Sequence, residues 1–279
     1  MFQSFDAKTS PDQGPPRLAA LRAEMAKAGL DGFLVPRADM HQGEYVAPRD
    51  ERLSWLTGFT GSAGFAAVLK DIAGVFVDGR YRVQVKAQVA GDFTPVDWPE
   101  TKLGEWLADH MPDGGMVGFD PWLHTLGEIE KLEERLKDTG VALVETENPV
   151  DLIWPDQPPR PAGPVTKYPT EMAGDGDETK RARIAGVLRK AGHKSAVLTL
   201  PDSICWLLNI RGADIPRIPV VHAFAILHND GKMQLFSDPG KFADLGPDPA
   251  IALKHWDDFE TALTGLIGPV RVDKATAPV

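Results

Sequence analysis

The stretch 55–81, WLTGFTGSAGFAAVLKDIAGVFVDGRY, constrains the fold of this chain more than any other segment. Three glycines, Gly58, Gly61 and Gly64, recur in it at three-residue intervals, ahead of two apolar runs. Glycines with this spacing indicate a backbone that takes positive φ or lies close against other atoms. Only a short polar turn separates the two apolar runs, so we expect an antiparallel pair of strands.

The composition limits the class of protein. Hydrophobic residues make up 43% of the 279 residues and charged residues 25%, as in ordinary globular proteins. The net charge of −10 argues against a nucleic-acid or anionic-membrane partner, and no apolar run reaches the roughly 20 residues of a membrane span. Residues 1–15 carry no secretory signal and predict a loose tail or a lightly anchored arm. The single cysteine excludes an internal disulfide. We therefore expect a cytoplasmic protein.

Apolar runs alternate with amphipathic segments along the first half of the chain. The predicted strands are 32–35, 64–69, 74–77, 93–96, 116–119 and 141–144. The predicted helices begin near Pro16, at Asp50 as N-cap, after Gly79, at Lys102 and at Thr125 as N-cap. This succession predicts an α/β fold with a mixed sheet flanked by helices on both faces.

A proline-rich segment divides the chain. Residues 154–169 contain six prolines, which favour a stiff, extended connection. We expect a first domain at 1–160 and a second at 161–279. The second half repeats the scheme with a helix at 177–191, a strand at 195–200, a helix opened by Asp202 or Ser203, a hairpin of 220–227 and 233–237 around Asn229-Asp230-Gly231, a helix at 259–267 and a strand at 270–272.

Known catalytic motifs are incomplete in this chain. The glycine run is one residue off the dinucleotide-binding fingerprint, and it precedes a strand instead of opening a helix. Ser62 lacks the first glycine and the strand–turn–helix context of a nucleophile elbow, so a turn-capping role is favoured. Cys205 lies in an apolar stretch and is expected to be a small core residue. The seven histidines form no compact pair of metal ligands.

Asp39, His41 and Glu44 form the tightest cluster of catalytic residue types. They fall in a predicted loop between a strand and a helix, where functional residues are common. A structural role is the alternative, in which they cap the helix and pair with Arg49 or Arg52.

Several segments, in order along the chain, resemble the Xaa-Pro aminopeptidases of the creatinase and prolidase family, in the cytosolic three-domain branch. These segments are RLAALRAEMAKAGLDGFLVPRADMHQGEYVAPRDERLSWLTGFTGSAG, VFVDGRYRVQ, ENPVDLIWPDQPPRP and SAVLTLPDSICWLLNIRGADIPRIPVVHAFAIL. The resemblance covers nearly the whole chain. It implies two consecutive creatinase-N-terminal-like domains, each a mixed β-sheet flanked by helices.

Family members of this type carry a third, catalytic domain of pita-bread fold with two divalent metal ions, usually manganese. Two aspartates, one histidine and two glutamates hold these ions, and no segment of this chain matches the strands that bear them. The resemblance therefore implies no catalytic residue, metal ligand or cofactor in this chain, and we expect it to be inactive alone. We also expect a longer parent protein, a second domain truncated at its C-terminal end and an exposed sheet edge there.

The resemblance implies that the parent releases the N-terminal residue from short peptides with proline in second position. It also implies a homodimer in which the N-terminal domains control substrate access. Candidate access or dimer-surface residues are His41, Arg52, Arg80, Tyr81 and Arg211, for each of which a structural bond is the alternative. Two other interpretations remain: an N-terminal part of a prolidase or creatinase relative, and an autonomous dimerisation or binding module.

Overall fold

The computed structural model describes residues 9–279, which form two compact units. Within this part, unit 1 comprises residues 9–159 and 278–279, and unit 2 comprises Arg160–Ala277. The division expected from the sequence differs in the placement of residues 160, 278 and 279. Residues 1–8 of the expected tail lie outside the described residues, and the next ones are ordered into a short 3-10 helix, Pro11–Gln13.

Unit 1 is built on a six-stranded sheet with helices on both faces. Its strands are β1 Gly32–Pro36, β2 Phe65–Leu69, β3 Ala73–Val77, β4 Thr94–Asp97, β5 Gly115–Phe119 and β6 Val141–Glu145. Its helices are α1 Gly14–Lys27, α2 Arg52–Thr57, α3 Arg82–Gln88, α4 Leu103–His110, α5 Leu126–Leu136 and α6 Pro149–Ile153, with 3-10 turns at Pro48–Asp50 and Pro121–Leu123. All six predicted strands are present.

The strand order in unit 1 is β4-β3-β2-β1-β5-β6. Strand β2 runs antiparallel to β1 and β3, and the other pairs are parallel, so the predicted hairpin and the mixed sheet are confirmed. Residues 278–279 join this unit, because Pro278 forms a bridge with Thr125 and the Val279 amide donates to the carbonyl of Pro121 (3.1 Å).

The central strands are buried on both faces. On one face, Phe33 and Val75 pack with the helix residue Leu21, and on the other Phe76 packs with Trp106. Burial on both faces explains why these strands read as continuous apolar runs instead of alternating patterns. Each fully buried side chain of this size contributes about 1.5–3 kcal/mol.

Two helix termini of unit 1 follow the local sequence, and a third departs from the prediction. Thr125 caps α5 in a capping box with Glu128, as predicted. Helix α2 ends at Gly58, which takes φ +87°, a conformation that other residues adopt only with strain. The prediction of Asp50 as N-cap of α2 is wrong: Glu51 holds that position without a side-chain bond, and the Asp50 carboxylate binds Arg52 instead.

Unit 2 contains a five-stranded sheet and a two-stranded one. Its strands are β7 Thr166–Lys167, β8 Ser195–Leu198, β9 Ile210–Arg211, β10 Phe224–His228, β11 Met233–Phe236, β12 Ile251–Lys254 and β13 Val270–Arg271. Its helices are α7 Thr170–Ala173, α8 Asp177–Lys190, α9 Pro201–Leu208 and α10 Phe259–Thr264, with 3-10 segments at Pro239–Leu245 and Trp256–Asp258. The predicted hairpin is present as β10 and β11, whereas β7, β9 and β12 were not predicted.

The sheet of unit 2 repeats five strands of unit 1 with the same directions. Its order is β12-β11-β10-β8-β13, in which β10 is antiparallel to β8 and β11 and the outer pairs are parallel. Strands β8, β10, β11, β12 and β13 therefore correspond to β1, β2, β3, β4 and β5. The element order shared by the two halves holds at the level of strand pairing. No helix within residues 9–279 has the length and apolar character needed to cross a bilayer.

Candidate functional site

The sheet of unit 1 gathers most of the candidate residues at one edge. Strands β1, β3, β4, β5 and β6 are parallel to one another, so their C-terminal ends meet at the same side, here called the carboxyl edge. Ligands of open α/β sheets bind outside these strand ends. The segments at this edge are 37–51, 58–64, 78–81, 98–102, 120–125 and 146–148.

Arg37 joins two of these segments. Its backbone N–H donates to the carbonyl of Gly64 (3.3 Å), and its guanidinium donates to the carbonyl of Ser62 (3.2 Å) and to that of Glu44. The loop 58–64 also packs tightly, because a Cβ on Gly61 would lie 2.2 Å from the ring of Phe59. The glycine pattern thus marks a close approach, as expected.

Ser62 and Tyr81 share a hydrogen bond between their hydroxyl groups (2.7 Å). This bond lowers the pKa of Tyr81 from its ordinary value. The Ser62 hydroxyl was expected to cap a turn. It instead joins the glycine-rich loop to the segment after β3. Tyr81 packs edge-on against Phe59 (5.6 Å between ring centroids). Its ring is therefore positioned by this contact and by the hydrogen bond to Ser62.

Arg80 is an exposed cation at the carboxyl edge. Its side chain is 63% exposed, and its Nε and Nη2 donate to the two carboxylate oxygens of Asp78 (3.1 and 2.7 Å). The guanidinium lies 5.1 Å from the ring centroid of Tyr81. Hydrogen bonding from Arg80 lowers the pKa of Asp78. The carboxylate and the ring fix the orientation of Arg80, and its solvent side can receive a carboxylate from another molecule.

Arg52 lies in the interior and not on a surface. Its side chain is 6% exposed, and Nε and Nη2 donate to both carboxylate oxygens of Asp151 (2.7 and 2.9 Å) while Nη1 donates to Asp50 (3.0 Å). Gln157 adds a bond to Asp151 (2.8 Å). Burial raises the pKa of Asp50 to about 6, with a further contribution from Asp39, against the opposing effect of Arg52. These contacts fasten the start of α2 to α6.

His41 is also buried, with 0% of its surface exposed. Its backbone N–H donates to the carboxylate of Asp39 (2.9 Å), which also accepts from the N–H of Gly43 (3.2 Å). Asp39 therefore folds the loop after β1 instead of capping the helix. The expected surface role does not suit His41 or Arg52, since neither side chain reaches solvent in this unit.

A second buried network at the carboxyl edge was not predicted. Asn148 donates to Asp120 (3.0 Å), whose other carboxylate oxygen accepts from the N–H of Trp122 (2.9 Å). Burial raises the pKa of Asp120. The sequence does carry a signal for this network. An Asp-Pro pair follows β5 and an Asn-Pro pair follows β6, and both pairs are typical of turns.

Arg211 belongs to unit 2 and takes no part in the carboxyl edge. Its Nη1 donates to the carbonyl of Ile210 (2.8 Å), and its guanidinium stacks over Tyr168 at 4.1 Å. Cys205 is buried, and its sulfur accepts from the N–H of Val221 (3.4 Å). Within residues 9–279 no three or more His, Cys, Asp or Glu side chains are grouped so as to hold a metal ion.

Comparison with known families gives two adjoining matches. The creatinase/prolidase N-terminal domain is matched twice, by two family models, at residues 17–153 and 156–277. Among curated relatives, the probable Xaa-Pro aminopeptidase P of Coccidioides posadasii is 40% identical over 235 residues, which is 81% of this chain and 38% of the relative. Aminopeptidase P1 of Arabidopsis thaliana is 36% identical over 81% of this chain and 36% of its own length.

One solved structure resembles the chain over most of its length. It is the X-prolyl aminopeptidase of Caenorhabditis elegans, described as a cytosolic enzyme with a di-nuclear active site. The match has a TM-score of 0.83 and 27% identity, and it covers 90% of this chain and 44% of that protein. The chain therefore spans well under half the length of the relatives that it matches.

Proposed function

Because this chain belongs to the creatinase/prolidase N-terminal domain family, we propose that it is the non-catalytic N-terminal part of a metal-dependent Xaa-Pro aminopeptidase. The parent enzyme would act in the cytoplasm and release the N-terminal residue from short peptides with proline second. The observation that carries this proposal is the 40% identity to an Xaa-Pro aminopeptidase P, spread over 81% of this chain but only 38% of that relative.

In this proposal the two-metal centre lies outside this chain. The C. elegans neighbour is described as having a di-nuclear active site, whereas residues 9–279 here contain no suitable group of ligands. The two manganese or other divalent ions would therefore be held by other parts of the parent. No chemical step is assigned to the residues of this chain.

We assign the chain a role in dimerisation and substrate access, through the carboxyl edge of unit 1. Arg80 supports this role, because Asp78 and Tyr81 hold an exposed guanidinium at a strand end. An arginine fixed in this way loses little conformational freedom when it binds a carboxylate. Tyr81 provides the ring beside the Arg80 guanidinium. Arg52 and His41 would stabilise the loops of the carboxyl edge from the interior. Arg211 would be a structural residue of unit 2.

A peptidase assay tests the non-catalytic part of the proposal. Residues 1–279, supplied with Mn²⁺, are incubated with a tripeptide that has proline in second position. We expect no release of the first residue above that of a metal blank. Steady turnover that copurifies with the chain would overturn the proposal.

Sedimentation velocity tests the dimer surface. We expect residues 1–279 to form a dimer and Arg80→Glu to shift it to monomer, because the reversed charge repels the carboxylate that Arg80 would bind. Arg183→Glu is the control, since Arg183 of unit 2 is 53% exposed and also pairs with an aspartate, through one hydrogen bond from Nη1 to Asp175 (2.9 Å). A monomeric wild-type chain, or equal effects of the two variants, would refute the dimer role.

A further inference from the structure

Unit 2 contains a cleft with a volume of about 950 Å³. Leu235 of β11 and Ile251 and Leu253 of β12 line it from the sheet. Helix α8 and the segment 242–250 form its walls. The volume lies within the roughly 300–1,000 Å³ of small-molecule sites, which are also mainly apolar with a few polar groups.

The repeat between the units explains why the cleft exists. In unit 1, helix α3 joins β3 to β4, and its Val85 belongs to the same core cluster as Val75 of β3. In unit 2, the corresponding connection from β11 to β12 is a 3-10 segment and a loop, from which Phe242 joins the core. Leu235 occupies the register position of Val75, so the cleft opens over the part of the sheet that α3 covers in unit 1.

One wall of the cleft is held in place by Arg181. Its side chain is 5% exposed, and its Nη2 donates to Asp248 (3.0 Å) while Nη1 donates to the carbonyl of Gly231 (3.3 Å). Asp248 also accepts from the N–H of Ala250 (2.8 Å). These bonds tie the loop 246–250 to α8, so the cleft is a built feature and not a gap beside a free segment.

Charged groups of both signs line the cleft. Lys167 and Lys232 are 51% and 73% exposed, and each is paired at long range with a carboxylate that also lines the cleft, Asp177 at 3.8 Å and Asp230 at 4.0 Å. Glu178, in the first turn of α8, has no ion-pair partner within the described part of the chain. Ammonium groups and a carboxylate are thus available beside an apolar floor.

We infer that this cleft binds a short zwitterionic peptide with apolar side chains. The apolar side chains would cover Ile251 and Leu253, which are partly exposed beside the buried Leu235. The peptide's ammonium group would face Glu178, and its carboxylate would face the lysines. The inference needs no catalytic residue and does not depend on the proposed peptidase parent.

Methyl-resolved NMR of the full chain tests the inference, with the dipeptide Leu-Leu as probe. We expect the methyl signals of Leu235, Ile251 and Leu253 to shift in a saturable way at millimolar concentration. Gly-Gly, which has the charges without the apolar groups, should leave them unchanged. N-acetyl-Leu-Leu-amide, which lacks both charges, should bind about tenfold more weakly.

Glu178→Gln should weaken binding of Leu-Leu about two- to fivefold, as expected for one exposed charge pair. Glu171→Gln in α7, an exposed glutamate that does not line the cleft, is the matched control and should leave the affinity unchanged. Both substitutions are on the surface, so folding is retained. Absence of saturable shifts at 10 mM Leu-Leu, or equal binding by wild type and Glu178→Gln, would overturn the inference.

Discussion

Replacing Arg52 by methionine tests the buried network of unit 1. The guanidinium is 6% exposed and makes three charge-assisted hydrogen bonds, two to Asp151 and one to Asp50. Methionine keeps much of the volume but removes the hydrogen-bonded cation of the buried Asp50, which retains only the longer contact to Arg49 Nε (3.9 Å). Removing one partner of a buried ion pair costs about 3–5 kcal/mol. We expect Arg52→Met to lower the free energy of unfolding of unit 1 by that amount at pH 8.

The loss of unfolding free energy in Arg52→Met should be larger at high pH than at low pH. The pKa of Asp50 is raised by burial to about 6 from 3.8, so the folded state binds a proton more tightly than the unfolded state. The stability that this group contributes is present below pH 4 and is lost as the pH rises through 6, by about 3 kcal/mol. Without Arg52 the carboxyl binds its proton still more tightly. The effect of Arg52→Met should therefore be smaller at pH 5 than at pH 8.

Equilibrium urea unfolding is monitored by hydrogen exchange in peptides from β1, β2 and β3. This measures the free energy of unfolding of unit 1 separately from that of unit 2. Arg82→Met is the control, since Arg82 forms ion pairs with Asp97 and Glu100 at an exposed site, and its midpoint should stay unchanged. A loss below about 1 kcal/mol for Arg52→Met at pH 8, or a larger loss at pH 5, would refute the argument. Adding Asp50→Asn to Arg52→Met should restore part of the stability, because it removes the buried charge that has lost its hydrogen bond to Arg52.

Two further predictions concern other parts of the chain. Lys241→Met should destabilise unit 2 alone by about 3–5 kcal/mol, because Lys241 and Asp214 form an ion pair with side chains only 1% and 0% exposed; exchange rates that rise in unit 1 instead would contradict this. Gly58→Ala should lower the urea midpoint of unit 1 by an amount equivalent to about 1–3 kcal/mol, because φ is +87° and the added Cβ would lie 2.5 Å from a carbonyl oxygen. An unchanged midpoint would show that the backbone there relaxes freely.

The strands and the hairpins could be predicted from the sequence because their signals are local. Apolar runs bounded by glycine and polar turns gave all six strands of unit 1, and Asn229-Asp230-Gly231 marked the hairpin of unit 2. Strand β12 was missed because it has only two large apolar residues, Ile251 and Leu253, and directly follows a loop with prolines at 247 and 249.

The site depends on pairings that the sequence does not specify. Arg52 and Asp151 are 99 residues apart, so no local pattern could show that Arg52 is buried and not exposed. Arg80 and Asp78 are two residues apart in sequence, so their pairing is local, and the role of Arg80 at this turn stays a prediction. The cleft of unit 2 depends on how the segment that connects β11 to β12 packs on the sheet. No local sequence pattern shows this packing.

Residues 278–279 pack in unit 1 although they are synthesised after unit 2, so unit 1 cannot be completed before unit 2 has been synthesised. Nascent domains fold as their own segments leave the ribosome, at about 5–20 residues added per second. The sheet of unit 1 can form once β6 has emerged, long before residues 278–279 are made. The bridge between Thr125 and Pro278 can form only after all of unit 2 has been translated, so the loop 121–125 is the last part of unit 1 to gain its native contacts.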